Sequence, residues 1–105
     1  MKILTILFFT IISIYGAQQS HQADKRMVWG EAYRYCFSMG GRMASVREFE
    51  KKYAYKKQGR STGYENVSYW TGDDLDIDGA YSFDFDLGLS IPDHKARKLK
   101  VMCVK

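Results

Sequence analysis

The strongest constraint on the fold is a change in the spacing of apolar residues part-way along the chain. Between about residues 29 and 57 they recur every three or four positions, which is typical of amphipathic helices. After residue 68 they alternate with polar residues, which indicates strands with one buried face. Two helices followed by a small antiparallel sheet predict a compact α+β domain.

Two helices are expected in the first half of the chain. The first ends at Gly40-Gly41, because glycine adopts the left-handed conformation that closes a helix. The second begins at Val46, since Ser45 and Glu48 fit a capping box, and it runs to about Lys57. The apolar stripe predicted for the first helix comprises Trp29, Ala32, Tyr33, Cys36 and Phe37. The inner line predicted for the second comprises Val46, Phe49, Tyr53 and Lys56.

Strands are predicted in the second half. The candidates are residues 68–71, 80–87, 89–91 and 98–104, separated by turns at 73–79, Gly88 and 92–93. Along residues 80–87 the alternation places Tyr81, Phe83, Phe85 and Leu87 on the buried face.

Residues 1–17 have the layout of a secretory signal peptide. A basic start precedes an apolar run, residues 3–15, and the small residues Gly16 and Ala17 follow. The run has about thirteen residues against the roughly 20 that span a bilayer, so we expect cleavage and no transmembrane anchor. We therefore expect a signal peptide at 1–17, a disordered N-terminus at 18–25 and one domain at 26–105, secreted or periplasmic.

The two cysteines, Cys36 and Cys103, both lie in the part that would be exported. An even cysteine count in an oxidising compartment predicts a disulfide. A reactive thiol pair and a pair of metal ligands are the alternatives, although neither a C-x-x-C spacing nor a nearby histidine supports them.

The distribution of charge is more informative than the formal net charge of +4. Basic residues crowd the second helix, whereas six aspartates without any lysine or arginine among them occupy residues 73–86. So many carboxylates in mid-chain argue against nucleic acid as a partner. The basic helix leaves a polyanion, such as a sulfated polysaccharide, as one ligand class.

Three aspartates, Asp74, Asp76 and Asp78, precede Gly79 in the order that opens a calcium-binding loop. Alternating carboxylates on a tight turn can present hard oxygens to one cation. The twelfth position of such a loop, which normally supplies a bidentate glutamate, is Phe85. A solvated acidic turn is the alternative interpretation.

A ligand patch is predicted where the longest aperiodic stretch, 58–67, and the acidic turn flank one strand. An exposed aromatic ring beside aspartate and asparagine can stack on a sugar, so a glycan or cell-surface ligand is expected. Core packing is the alternative for Trp70. No nucleophile–base pair is evident, which argues against an enzyme. The patch comprises Tyr64, Asn66, Trp70, Asp74, Asp76 and Asp78.

Five short motifs occur in the order found in a family of exported bacterial domains. They are residues 29–36 (WGEAYRYC), 41–49 (GRMASVREF), 69–71 (YWT), 80–85 (AYSFDF) before Gly88, and 101–105 (VMCVK). They resemble the family named after the C-terminal domain of a collagen-like adhesin (Lcl), which is similar to the Fibrobacter major paralogous domain. Gly41, Ala44 and Met102 replace the family's tryptophan, proline and arginine.

This resemblance implies a C-type-lectin-like fold, a disulfide between Cys36 and Cys103, and a non-enzymatic binding role, with carbohydrate or adhesion as the expected context. Animal C-type lectins share the segment 40–45 (GGRMAS), but this chain lacks their second cysteine pair and their E-P-N or Q-P-D signature for sugar and calcium. The alternatives are a structural envelope protein without a sugar site, the polyanion binder, and a degenerate relative of formylglycine-generating enzymes.

Overall fold

The computed structural model describes residues 20–105, and the predicted signal peptide lies outside them. These residues form two helices and six strands, and the predicted α+β class with one disulfide is confirmed. In chain order they are β1 Ser20–Gln22, α1 Trp29–Ser38, β2 Arg42–Met43, α2 Val46–Lys57, β3 Ser68–Asp74, β4 Gly79–Asp84, β5 Leu89–His94 and β6 Lys100–Val104.

All six strands belong to one sheet in the order β1-β6-β3-β4-β5, with β2 also paired to β6. The β3–β6 pair is parallel and the other pairs are antiparallel, so the sheet is mixed where an antiparallel one was expected. A parallel neighbour requires a crossover, and the β4–β5 hairpin lies within the connection from β3 to β6.

Both faces of the central strands are buried. On one face Trp70 and Val101 pack with Ala32 and Cys36 of α1. On the other face Tyr69, Met102 and Val104 pack with Phe49 of α2, within a cluster of aromatic rings. Neighbouring residues of β3 and β6 therefore belong to opposite cores, because successive side chains of a strand point to opposite faces.

A disulfide joins Cys36 of α1 to Cys103 of β6, as predicted. Both residues are almost fully buried, at 0% and 3% exposure. The bond fixes the first helix against the middle of the sheet, and the two cysteines have a sequence separation of 67.

The N-terminal segment corrects one prediction. Residues 18–25 were expected to be disordered, yet Ser20–Gln22 forms β1 and pairs with β6. Further along, Ala23 donates a backbone hydrogen bond to Val101 at 3.1 Å and is buried. Pairing satisfies backbone groups of β6 that would otherwise lie at a sheet edge, which is why this polar segment is ordered.

The positions of four residues also differ from the predicted ones. Tyr33 and Phe37 are exposed, because only the narrower Ala32–Cys36 side of α1 contacts the sheet. Leu87 is 60% exposed in the turn after β4, which ends at Asp84. Pro92 lies inside β5 rather than in a turn, and a residue without a backbone N–H is tolerated there because β5 is an edge strand.

Among residues 20–105, no helix has the length and apolar character needed to cross a membrane.

Candidate functional site

The predicted ligand patch is divided by strand β3. Asn66 precedes the strand and Asp74 ends it, and the seven-residue strand itself is about 20 Å long at an ordinary rise per residue. Asn66 is exposed at one end, whereas Asp76 and Asp78 are exposed on the hairpin at the other. The expectation that the two segments come together was wrong, because they lie at opposite ends of the seven-residue strand β3.

The aromatic members of that patch lie in the two cores. Trp70 is fully buried, and its indole Nε1 donates to the Met27 carbonyl at 2.9 Å. Tyr64 is half-buried, with its ring 5.1 Å from that of Phe85, and desolvation raises the pKa of its phenol to about 12. Core packing, the alternative for Trp70, is the interpretation that the structure supports.

The aspartates of the hairpin are engaged by the protein itself. Lys95 Nζ lies 2.8 Å from Asp74 Oδ1, and this hydrogen bond lowers the pKa of the Asp74 carboxyl. Asp76 Oδ1 accepts backbone hydrogen bonds from Asp78 and Gly79 and so closes the turn. Within the described part of the chain no three acidic, histidine or cysteine side chains are arranged to hold a metal ion. The predicted calcium set is therefore not assembled.

A different site lies where α1, β2 and β3 meet at the start of α2. It is a shallow pocket of about 290 Å³ that combines an aromatic ring with several polar groups. Its lining residues are Tyr33, Arg42, Met43, Ser45, Gly72 and Asp73. We call it the Tyr33 pocket.

The floor of the Tyr33 pocket depends on a close approach of two strands. Gly72 donates its N–H to the Ala44 carbonyl at 2.9 Å. A Cβ at this position would lie 3.1 Å from the Met43 carbonyl oxygen, which is tighter than an ordinary contact. Glycine thus lets β3 pass directly beside the β2–α2 connection, and a larger residue would force the two segments apart.

One wall of the pocket is fixed by the capping box of α2, which was predicted and is confirmed. Ser45 Oγ accepts from the Glu48 amide at 3.2 Å, and Glu48 Oε1 accepts from the Ser45 amide at 2.8 Å. Arg42 donates to both carboxylate oxygens of Glu48, at 2.6 and 3.1 Å. This bidentate bond lowers the pKa of Glu48 to about 2 and raises that of Arg42. Glu48 is therefore a structural anion that holds Arg42 at the pocket.

Asp73 and Tyr33 supply groups that remain available to a ligand. Asp73 Oδ2 accepts from the Val46 amide at 2.8 Å, which orients the carboxylate at the α2 N-terminus. Its other oxygen and the Tyr33 hydroxyl have no hydrogen-bond partner among residues 20–105. Tyr33 is 55% exposed and packs on Trp29, with ring centroids 5.6 Å apart. The pocket thus offers an acceptor, a phenol and the face of an anchored ring.

Sequence reasoning missed this pocket for identifiable reasons. Tyr33 was assigned to the buried stripe of α1, and Asp73 was counted only among the residues of an acidic turn. The available signal was the capping box at Ser45, because it marks a helix N-terminus that Asp73 also caps. Nothing in the local sequence shows that β3 passes that helix end.

A larger hollow, of about 610 Å³, lies along another side of α1 between the helix and residues 23–27. Several of its polar groups have partners within the protein. Lys25 pairs with Glu31 at 3.4 Å, and the Tyr35 hydroxyl lies 2.8 Å from His21 Nε2. Asp24 and Arg34, which also line the hollow, form none of the described hydrogen bonds or ion pairs. The Tyr33 pocket differs in that it places a half-exposed aromatic ring beside an oriented carboxylate.

Comparisons with protein-family models and with curated proteins find no match. Among solved structures, a C-type lectin named TC14 from the tunicate Polyandrocarpa misakiensis superposes with a TM-score of 0.61. The match covers 85% of this chain and 98% of TC14, at 15% sequence identity. This chain has a C-type-lectin-like fold.

The lectin-like fold confirms the distant part of the predicted resemblance. At 15% identity the likeness concerns the fold alone, and the closer similarity to the bacterial adhesin-domain family stays a prediction. The second cysteine pair expected of an animal lectin has no counterpart, since the described residues hold one disulfide and no free cysteine.

The ion pair at the pocket predicts a pH dependence of stability. Glu48 has a folded-state pKa near 2 against an ordinary value of 4.5, so its stabilising effect is complete above pH 4.5 and is lost as the pH falls toward 2. We expect Glu48→Gln to lower the free energy of unfolding at pH 7 by about 1–2 kcal/mol, because solvent screening weakens a partly exposed ion pair. The variant should also lose less stability than the parent as the pH falls from 4.5 to 2.

Urea unfolding between pH 7 and 2 measures this effect. Glu50→Gln is the matched control, because Glu50 is exposed on the same helix and forms none of the described ion pairs. Equal pH profiles for the two variants would contradict the role assigned to Glu48.

Proposed function

We propose that this chain is a secreted, non-enzymatic lectin domain that binds a glycan in the Tyr33 pocket. The observation that carries the proposal is the pairing of a half-exposed aromatic ring with an oriented carboxylate oxygen, on a lectin-like fold. Sugars present an apolar C–H face and a rim of hydroxyl groups, so an aromatic face beside fixed acceptors and donors matches their chemistry.

Each polar group of the pocket has a role in such a complex. The unpaired Asp73 oxygen accepts a hydrogen bond from a sugar hydroxyl, and Arg42, held by Glu48, donates to another sugar oxygen. The ring of Tyr33 stacks on the C–H face. Trp29 anchors that ring, and the Trp29 indole is itself fixed by a 2.9 Å hydrogen bond to the Thr71 carbonyl.

A binding role fits the chemistry better than catalysis does. Glu48, the other carboxylate beside the pocket, is held ionised by Arg42 and is poorly suited to proton transfer near neutral pH. Both cysteines are joined in the disulfide, which also supports an oxidising compartment and hence export. These features argue against a relative of formylglycine-generating enzymes.

Glycan-array binding of the parent, Tyr33→Ala and Asp73→Asn proteins tests the proposal. We expect either substitution to reduce binding at least tenfold, since one removes the stacking surface and the other the charged acceptor. Tyr55→Ala is the matched control, because Tyr55 is an aromatic residue of similar exposure, 43%, on the solvent side of α2. We expect chelator to leave binding unchanged, because the proposed contacts require no cation.

A parent protein that binds no glycan, or pocket variants that bind like the parent, would overturn the sugar site. The structural envelope role would then be favoured. Circular dichroism of each variant shows whether a loss of binding reflects unfolding instead.

The outer face of α2 supports a second candidate, a polyanion binder. Arg47 and Lys51 lie four residues apart on the side opposite the buried Phe49. Five exposed cations on or just after this helix form none of the described ion pairs: Arg47, Lys51, Lys52, Lys57 and Arg60. Ionic strength discriminates the two functions, because binding through charge weakens steeply with salt whereas ring stacking does not.

A further inference from the structure

We infer that the Tyr33 pocket takes part of an extended glycan chain rather than a single sugar, and that Phe37 stacks on the adjoining unit. This inference rests on the proposed function and adds the class of ligand. Trp29, Tyr33 and Phe37 occupy successive turns of α1 at four-residue spacing, and we call them the aromatic row. Residues so spaced lie on the same side of a helix.

Phe37 is the most exposed member of the aromatic row. Its side chain is 74% accessible, and it makes no ring contact with another described residue. A large apolar ring left in water forgoes the stabilisation that burial would provide. The neighbouring Cys36 is fully buried and disulfide-bonded, so the backbone that presents Phe37 is held rigidly.

The aromatic row is covered at its Trp29 end. The Lys95 ammonium lies 4.5 Å from the centre of the Trp29 ring and covers that end. Lys95 is in turn held by Asp74 and by the Asp76 carbonyl, at 2.8 and 2.7 Å. A chain seated on Tyr33 therefore continues over the aromatic row toward Phe37.

The spacing of the rings suits a polysaccharide. Tyr33 and Phe37 are separated by about 6 Å along the helix axis, four residues at 1.5 Å each. This spacing is close to the length of one pyranose unit in an extended polysaccharide. Stacking on Phe37 requires no particular pattern of hydroxyl groups on the second sugar unit. Phe37 should therefore raise the affinity for longer chains more than it selects which sugar binds.

A second copy of this chain is a poorer occupant of the aromatic row. Two partly exposed rings offer at most about 400 Å², against roughly 800 Å² on each partner in a stable interface. The other exposed residues of this part of α1, Arg34 and Ser38, are polar. The surface is too small and too polar at its margins to form a dimer by itself.

Titration with matched short and long sugars tests the inference. The probes are glucose, galactose, mannose and N-acetylglucosamine, each beside its linear hexasaccharide, measured by calorimetry or saturation-transfer NMR. We expect at least one hexasaccharide to bind more tightly than its monosaccharide. Phe37→Ala should weaken hexasaccharide binding about three- to tenfold and leave monosaccharide binding unchanged, whereas Tyr33→Ala should weaken both.

The other outcomes separate the two proposals. If Tyr33→Ala abolishes binding and Phe37→Ala binds the hexasaccharide like the parent, the second stacking position is refuted and the sugar site stands. Absence of binding to every probe overturns both. Phe37→Trp should retain chain-length preference, and Tyr55→Ala should change nothing. Sedimentation of the parent and Phe37→Ala proteins completes the test, since a dimer lost in the variant would show that another copy occupies the aromatic row.

Discussion

Replacement of both Cys36 and Cys103 by alanine is expected to destabilise the domain by about 4 kcal/mol. The closed loop spans 67 residues of separation, and the chain-entropy model assigns a constraint of that size to a loop so long. A domain has a total stability of about 5–15 kcal/mol, so the variant should lose between about a quarter and four-fifths of it. Chemical denaturation monitored by tryptophan fluorescence measures the difference.

The double replacement is the informative variant, because a single one leaves an unpaired thiol that can form intermolecular disulfides. A reduced parent protein should match the double variant within about 1 kcal/mol if the bond acts through chain constraint rather than through packing of the sulfur atoms. A double variant as stable as the oxidised parent would show that the two cores hold α1 without the covalent bond.

Local periodicity predicted the helices, a short motif predicted the capping box, and the cysteine count predicted the disulfide. Ser45 and Glu48 are three residues apart, so their interaction is a local property that sequence alone reveals. Cys36 and Cys103 were assigned from export and an even cysteine count, which do not depend on the path of the chain. Such features can be predicted from a few neighbouring residues, or from the cysteine count together with the expected compartment.

The placement of side chains by face was harder to predict, because it depends on what covers each face. Alternation in β6 suggested one buried side, but α1 covers one face and α2 covers the other, so Val101 and Met102 are buried on opposite faces. In α1 the apolar stripe was wider than the surface available to it. Tyr33 and Phe37 were therefore left outside.

The candidate site could not be predicted for a related reason. Tyr33, Arg42 and Asp73 come from three segments that meet only through the approach of β3 to the β2–α2 connection. The predicted patch instead joined segments that are neighbours in sequence. An extended strand of seven residues holds the two segments apart in space. Non-local sites of this kind become visible only when the sheet order is known.

The second large effect concerns Trp70, which sequence reasoning had placed in a ligand patch. We expect Trp70→Ala to cost about 3–5 kcal/mol, because the ring is fully buried among Ala32, Cys36 and Val101 and its removal leaves a cavity. The Met27 carbonyl also loses the indole donor at 2.9 Å. Trp70→Phe should cost less, about 1–3 kcal/mol, since it retains most of the apolar volume and forfeits that hydrogen bond.

Thermal and urea unfolding distinguish a core role for Trp70 from a surface role. Tyr55→Ala serves as the control, because truncation of a half-exposed ring should change stability by no more than about 0.5 kcal/mol. A Trp70→Ala protein as stable as this control would contradict the core role and would favour the surface position for the indole that the predicted patch requires. A large loss of stability, with glycan binding retained in the Trp70→Phe protein, is the result expected if Trp70 supports the fold and the Tyr33 pocket carries recognition.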